Sequence, residues 1–207
     1  MHLAARTRTV VSTAVVAIAT ATLFAGPAAG AEKLLGAGCP DVPLVQPFAP
    51  WQDHADYMLA PDGDIEAGAG SWALTGGAAA VEGSEPFAIG AAGDHLSLAL
   101  PAGSTATTAP MCIAEEHDMM RFLASGPASG TLVVRATFTK ADGSEKTFRL
   151  GAIDGSGTWA ASDVLRMRVD EKVDKFGGSL SVTLSFTPRG DEAWQIDGVY
   201  VDPYRSK

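Results

Sequence analysis

The chain has 207 residues, with 15 Lys and Arg against 24 Asp and Glu and a formal net charge of −9. Such an acid excess repels nucleic acid and anionic lipid, so both are excluded as partners. With 46% hydrophobic and 19% charged residues, the composition is that of a chain able to bury a core, not of a disordered one.

The first segment reads as a targeting peptide. Arg6 and Arg8 form a basic start, Thr9 to Ala25 carries no charge, and Ala29-Gly30-Ala31 is a small-x-small cleavage pattern. The apolar run is short for a membrane span of about 20 residues, so no membrane insertion is expected after cleavage. Removing residues 1–31 from 207 leaves 176, one domain of ordinary size. Arg6 and Arg8 leave with the segment and no acid does, so the net charge falls from −9 to −11. The expected location is secreted, extracellular.

Residues 32–50 are punctuated by Pro40, Pro43, Pro47 and Pro50 and lack a period. They read as an extended N-terminal arm leading into a domain over 51–207. The cysteines are Cys39 and Cys112. In an exported chain such a pair predicts a disulfide, closing a loop of about 70 residues and contributing about 4 kcal/mol. Two free thiols or a metal pair are the alternatives.

Beyond the arm, short apolar runs alternate with turn signals. Leu96, Leu98 and Leu100 alternate with Ser97 and Ala99; Leu132, Val134, Ala136 and Phe138 form a second such run. Leu180, Val182, Leu184 and Phe186 alternate with Ser181, Thr183, Ser185 and Thr187, predicting a half-buried antiparallel strand with a hydroxylated outer face. Further strands are expected around Ile65, Trp72–Leu74, Phe87–Ile89, Met120–Leu123, Thr147–Leu150, Val164–Val169 and Trp194–Val201. Asp142-Gly143 marks a hairpin turn. About nine strands and no long amphipathic helix predict an all-β, two-sheet antiparallel sandwich of jelly-roll type.

Catalytic motifs are absent: there is no Gly-x-Ser-x-Gly elbow, no His-Glu-x-x-His and no phosphate loop. His54, His95 and His117 each neighbour a carboxylate, but no nucleophile is spaced to use them. Glu66, Glu82, Glu85, Glu115 and Glu116 are the right type for paired-acid glycoside hydrolysis, yet spacing selects none of them. The domain therefore reads as a non-catalytic binding domain.

Two local patterns carry a resemblance. One runs Asp62-Gly63-Asp64-Ile65-Glu66-Ala67-Gly68, then Trp72 and Leu74-Thr75-Gly76-Gly77. The other is Trp194-Gln195-Ile196-Asp197-Gly198-Val199-Tyr200-Val201-Asp202-Pro203. Together they resemble the opening and closing strands of jelly-roll carbohydrate-binding and galactose-binding-like modules, in an arrangement like that of a group of secreted actinobacterial proteins. The resemblance covers most of residues 47–204. It implies a glycan, extracellular or of the cell wall, as the leading ligand class. It also implies a structural Ca²⁺ held by Glu66 and Asp197. Ile65 stands where the family often has Phe, and Gly198 where a second Asp is common.

Sugar sites use flat aromatics, and Trp51, Tyr57 and Trp159 lie in loop-like surroundings where stacking is feasible; Trp72 and Trp194 read as core. The chain has no Asn and only three Gln, so sugar hydroxyls would fall to Asp, Glu or Arg. The alternative function is a structural or protein-interaction sandwich meeting a cell-surface protein through the hydroxylated face of Ser181, Thr183, Ser185 and Thr187.

Overall fold

The computed structural model describes residues 39–113, 119–139, 143–167 and 180–202. The targeting segment, the first residues of the arm, His117 and Asp142 of the predicted turn lie outside them. In chain order the strands are β1 (Leu44–Val45), β2 (Tyr57–Leu59), β3 (Ala73–Thr75), β4 (Ala79–Glu82) and β5 (Leu96–Leu100). Then come β6 (Thr105–Thr107), β7 (Met111–Ile113), β8 (Met119–Ser125), β9 (Thr131–Thr139) and β10 (Glu145–Asp154). The last four are β11 (Ala160–Ala161), β12 (Leu165–Arg166), β13 (Leu180–Arg189) and β14 (Trp194–Asp202). One turn of 3₁₀-helix, Ala49–Trp51, precedes β2.

The fourteen strands among the described residues exceed the expected nine because pieces as short as β1, β11 and β12 carry too few residues to show alternation. They form two antiparallel sheets, as the sequence predicts. In the first, β14 is central: it pairs with β8 on one side and with β2 and β5 on the other, with β1, β4, β11 and β12 outside. In the second, β13 is central, between β9 on one side and β6 and β7 on the other, with β10 and β3 outside.

Alternation explains the core. The inward residues of β13 (Leu180, Val182, Leu184, Phe186) meet Phe122 and Met120 of β8 and Ile196 and Val199 of β14 in one buried cluster. Phe186 stacks on Trp72 at 6.0 Å and meets Phe122 edge-on at 5.1 Å, joining the two sheets. Trp72 and Trp194 are core residues, as expected. The outer face of β13 is hydroxylated, and threonines bond across the strands of this sheet: Thr187 of β13 with Thr105 of β6 at 3.0 Å, and Thr137 of β9 with Thr147 of β10 at 2.9 Å.

Two expected strands are absent. Ile65 is buried inside a run of turns with φ +62, and Phe87–Ile89 belongs to the loop between β4 and β5. Part of the arm becomes sheet edge instead: β1 pairs Leu44 with Met58 and Val45 with Tyr57. The arm is tethered at Cys39, which forms the predicted disulfide with Cys112, with Cα atoms 5.5 Å apart across 73 residues.

Replacing both cysteines by serine should lower the unfolding free energy by about 4 kcal/mol, read from urea unfolding curves. Unchanged stability would mean that the link does not constrain the unfolded chain.

Candidate functional site

The outer face of the β14 sheet is where the chain departs from a plain sandwich. An antiparallel sheet usually leaves its outer face to water. Here the outward residues are Tyr57 of β2, Leu123 of β8 and Tyr200 of β14, and all three are buried. Two segments roof them.

The first roof is the stretch around the 3₁₀ turn. Phe48 is fully buried and lies edge-on to Tyr57 at 5.0 Å and to Tyr200 at 5.8 Å. A buried cation fastens it. The Arg121 guanidinium of β8 sits 4.6 Å from the Phe48 ring centre and donates from Nη1 to Asp53 at 2.6 Å. Its Nε and Nη2 both donate to the Ser162 carbonyl, at 3.0 and 2.9 Å. Asp53 also accepts the Tyr57 hydroxyl at 2.8 Å and the Ala55 N–H at 3.2 Å. Burial pushes the Asp53 carboxyl up, but the bonds from Arg121 and Tyr57 outweigh it and leave it below its ordinary value. Burial and the Asp53 carboxylate together hold the Tyr57 phenol well above its usual range.

The second roof is the loop from Gly83 to His95. Glu85 folds back so that its carboxylate accepts the N–H groups of Phe87 and Ile89, the latter at 2.7 Å. Asp197, outward on β14, holds the loop from beneath. Its Oδ2 accepts from Ser84 Oγ at 3.0 Å and Glu85 N at 3.3 Å, and its Oδ1 accepts from Gly198 N at 2.7 Å. Burial pushes the Asp197 carboxyl up, the Glu85 charge adds to this, and the three donors restrain it; its pKa stands at about 7.

Between the roofs lies a groove of about 470 Å³. One wall comes from the arm and the β1–β2 edge (Val42, Pro43, Val45, Leu59) and the other from the 83–95 loop (Ile89, Gly90, Ala91, Asp94). Asp64 and Tyr200 complete it. Tyr200 is only 3% exposed, and no hydrogen bond to its hydroxyl is found among the described residues. Burial and the nearby carboxylates of Asp64 and Asp94 push its phenol up to about 12, so it is a neutral donor. Leu59, Ile89 and Tyr200 belong both to the groove and to the aromatic cluster, so the two are continuous.

The residues predicted to contact a ligand come together here. Trp51 and Trp159 are half-buried against the Phe48–Tyr57–Tyr200 cluster. Tyr57 lies within it at 1% exposure, with its hydroxyl taken by Asp53, so its ring offers no free face. Trp51 has a partner that alternation reads as a strand residue: Phe87, 42% exposed, meets it edge-on at 4.8 Å. The residues expected to hold calcium serve two different places. Glu66 accepts the N–H groups of His95 and Leu96 at 2.8 and 2.7 Å, with His95 Nδ1 at 2.9 Å. Asp197 holds the Ser84–Glu85 turn. Among the described residues no three His, Cys, Asp or Glu side chains gather as a metal site.

Sequence patterns do not single out Arg121, Asp64, Asp94 or Tyr200 as functional. Arg121 carries the one usable signal, a charge in the apolar run Met119–Leu123, since Arg is almost never fully buried unless paired.

No protein-family model matches the chain, and no curated protein matches it. Solved structures similar to the chain include carbohydrate-binding modules and the enzymatically active domain of a bacteriophage CBA120 tailspike protein. A family 22 module of Clostridium thermocellum xylanase 10B is 14% identical, over 68% of this chain and 90% of its own, with a TM-score of 0.45. A family 22 xylan-binding module of Paenibacillus barcinonensis is 15% identical, over 72% and 99%, with a TM-score of 0.46. A family 61 module solved with β-1,4-galactotriose is 14% identical, over 70% and 96%, with a TM-score of 0.43. Likeness at this level says nothing of what this chain binds.

Two stability predictions follow from the roofs. Arg121→Ala should cost about 3 kcal/mol in chemical unfolding, because it strands Asp53 and the Ser162 carbonyl. A loss below about 1 kcal/mol would place the pair among ordinary surface bridges. Asp197 has a folded pKa above that of the unfolded chain, so the native state binds its proton more tightly. Its contribution should grow as pH falls from about 7 towards the ordinary carboxylate value, and vanish above about 7. The Asp53 contribution runs the other way and is lost only below the ordinary value. Melting temperatures at mildly acid and mildly alkaline pH should thus differ in the parent and converge in Asp197→Asn; an unchanged difference would assign it to another group.

Proposed function

We propose that this is a secreted, non-catalytic binding domain whose ligand is a glycan, held along the groove and the Trp51–Phe87 pair. The observation that carries this is the continuity between the two. A partly exposed aromatic pair packs, through Trp51, on the cluster that shares Leu59, Ile89 and Tyr200 with a groove whose polar groups are a phenol and two carboxylates. Sugar rings present apolar C–H faces and a rim of hydroxyls, and this lining answers both. The aliphatic wall excludes water from one side, which strengthens the polar contacts on the other. An extracellular location agrees with the disulfide, since such bonds persist in oxidising compartments. Calcium at Glu66 and Asp197 remains part of this proposal, and the binding assay tests it directly.

The alternative, a structural or protein-interaction sandwich at the cell surface, rests on the hydroxylated face of β13. That face has less to offer a partner, because Thr187 already spends its hydroxyl on Thr105.

The exported chain should be retained on at least one insoluble polysaccharide among cellulose, xylan, chitin and galactan. Trp51→Ala and Phe87→Ala should each weaken retention about tenfold, equivalent to about 1.4 kcal/mol. Retention on none of them would overturn the glycan reading in favour of a protein partner. Release of shorter sugars during incubation would overturn the non-catalytic part and turn attention to Asp64 and Asp94. Equal retention with calcium and with EDTA would remove the metal from the ligand site.

A further inference from the structure

We infer that the groove selects a glycan bearing free amines, such as a polymer of unacetylated amino sugar, through Asp64, Asp94 and the Tyr200 hydroxyl. This rests on the glycan reading above and names the class of sugar.

The charge of the groove is the starting point. Asp64 and Asp94 both line it. Among the described residues the ion pairs join His95 to Glu66 and Arg121 to Asp53, so neither groove carboxylate has a cation of its own. Asp94 is partly committed, its Oδ2 accepting the Ala91 N–H at 2.7 Å. Burial pushes the Asp64 carboxyl up, and the negative charge of Asp94 adds to this. Two like charges at the edge of apolar surface are an unfavourable arrangement unless something positive comes between them.

The Tyr200 hydroxyl is a second, independent indication. Its residue is almost wholly buried, and among the described residues its hydroxyl has no hydrogen-bond partner at a groove that Tyr200 helps to line. A phenol O–H held at a groove with no protein acceptor is free to donate to a ligand oxygen. A bare metal ion supplies no acceptor, and an alkyl amine supplies none either.

An amino sugar meets all three demands at once. Its ammonium answers the carboxylates with charge-assisted hydrogen bonds. Its ring and hydroxyl oxygens accept from Tyr200. Its C–H face lies against Val45, Leu59 and Ile89. A neutral sugar satisfies the last two and leaves the carboxylates uncompensated. A uronate or sulfated sugar adds negative charge to a chain that already carries −9 and is repelled.

Isothermal titration of the exported chain tests this with three β-1,4-linked hexasaccharides: glucosamine, N-acetylglucosamine and glucose. Hexalysine serves as a charge control. The pH is set where the amines are protonated. The glucosamine hexamer should bind at least tenfold more tightly than the other two sugars and than hexalysine. That advantage should shrink with added salt and disappear in Asp64→Asn/Asp94→Asn. Tyr200→Phe should weaken all sugars without changing their order. Should the double variant fail to fold, the salt dependence and the ranking in the parent chain decide.

Equal binding of the three hexamers, or binding of some other neutral polysaccharide alone, overturns the amine inference while the glycan reading stands. Hexalysine binding as tightly as the glucosamine hexamer shows unspecific charge and also overturns it. Retention of the advantage in a folded double variant overturns the groove as its source. Failure of every sugar, insoluble polysaccharides included, overturns the glycan reading itself.

Discussion

One extra residue in β14 sets what the outer face of its sheet can do. Trp194 and Ile196 point inward and Asp197 outward; the pairing with β8 then slips between Asp197 and Tyr200. Gly198 occupies the slip with φ +52, a conformation glycine adopts without cost. A Cβ there would lie 2.9 Å from the tip of Ile89 and 3.4 Å from the Tyr200 ring, so the residue shares the outer side with Asp197. The bulge resets the alternation, sending Val199 into the core and Tyr200 out. Without it the phenol would point into the sandwich and Val199 would face the roof. Both the loop anchor, Asp197, and the groove donor, Tyr200, therefore depend on a position that carries no side chain.

The roof answers a problem that the sheet creates. Placing Tyr57, Leu123 and Tyr200 on an outer face exposes apolar area that water does not favour. Covering them buries Arg121 as well, and desolvating a guanidinium is costly unless its donors are satisfied. They are: one nitrogen meets a carboxylate, two meet a single carbonyl, and the ion's central carbon sits over the Phe48 ring. Such a geometry tolerates few alternatives. The same knot that makes the roof expensive also fixes where it sits, and hence where Trp51 stands relative to Phe87 and the groove.

The sheets were legible in the sequence because alternation is a direct print of one buried and one wet face. It reads cleanly for β9 and β13, whose outer faces meet solvent. It fails where the chain is apolar for another reason. Phe87 and Ile89 alternate like a strand, but Glu85 takes both of their N–H groups and curls the segment into a loop. Ile65 is apolar because it plugs a turn. Tyr57 looks like a loop aromatic because its neighbours Asp53, His54 and Asp56 are polar, and that polarity belongs in part to the pairing with Arg121. The disulfide was legible from compartment and count alone. The groove was not. Its members come from the arm, the run after β2, the β4–β5 loop and β14, and only folding brings these segments together.

The two walls of the groove are tethered by different means. Within the arm, Cys39 is bonded to Cys112 of β7 in the β13 sheet, and the chain reaches the edge of the β14 sheet as β1 within five residues. The facing loop is held by Asp197 from within the β14 sheet. Neither wall is itself a long strand; the arm adds its covalent bond to the short β1–β2 pairing, and the loop adds the Asp197 carboxylate to the bonds that Glu85, Asp94 and Glu66 make within and beside it. Both linkages are in place before any ligand arrives. A groove so restrained loses little conformational entropy on binding, and preorganisation of this kind raises affinity without adding contacts.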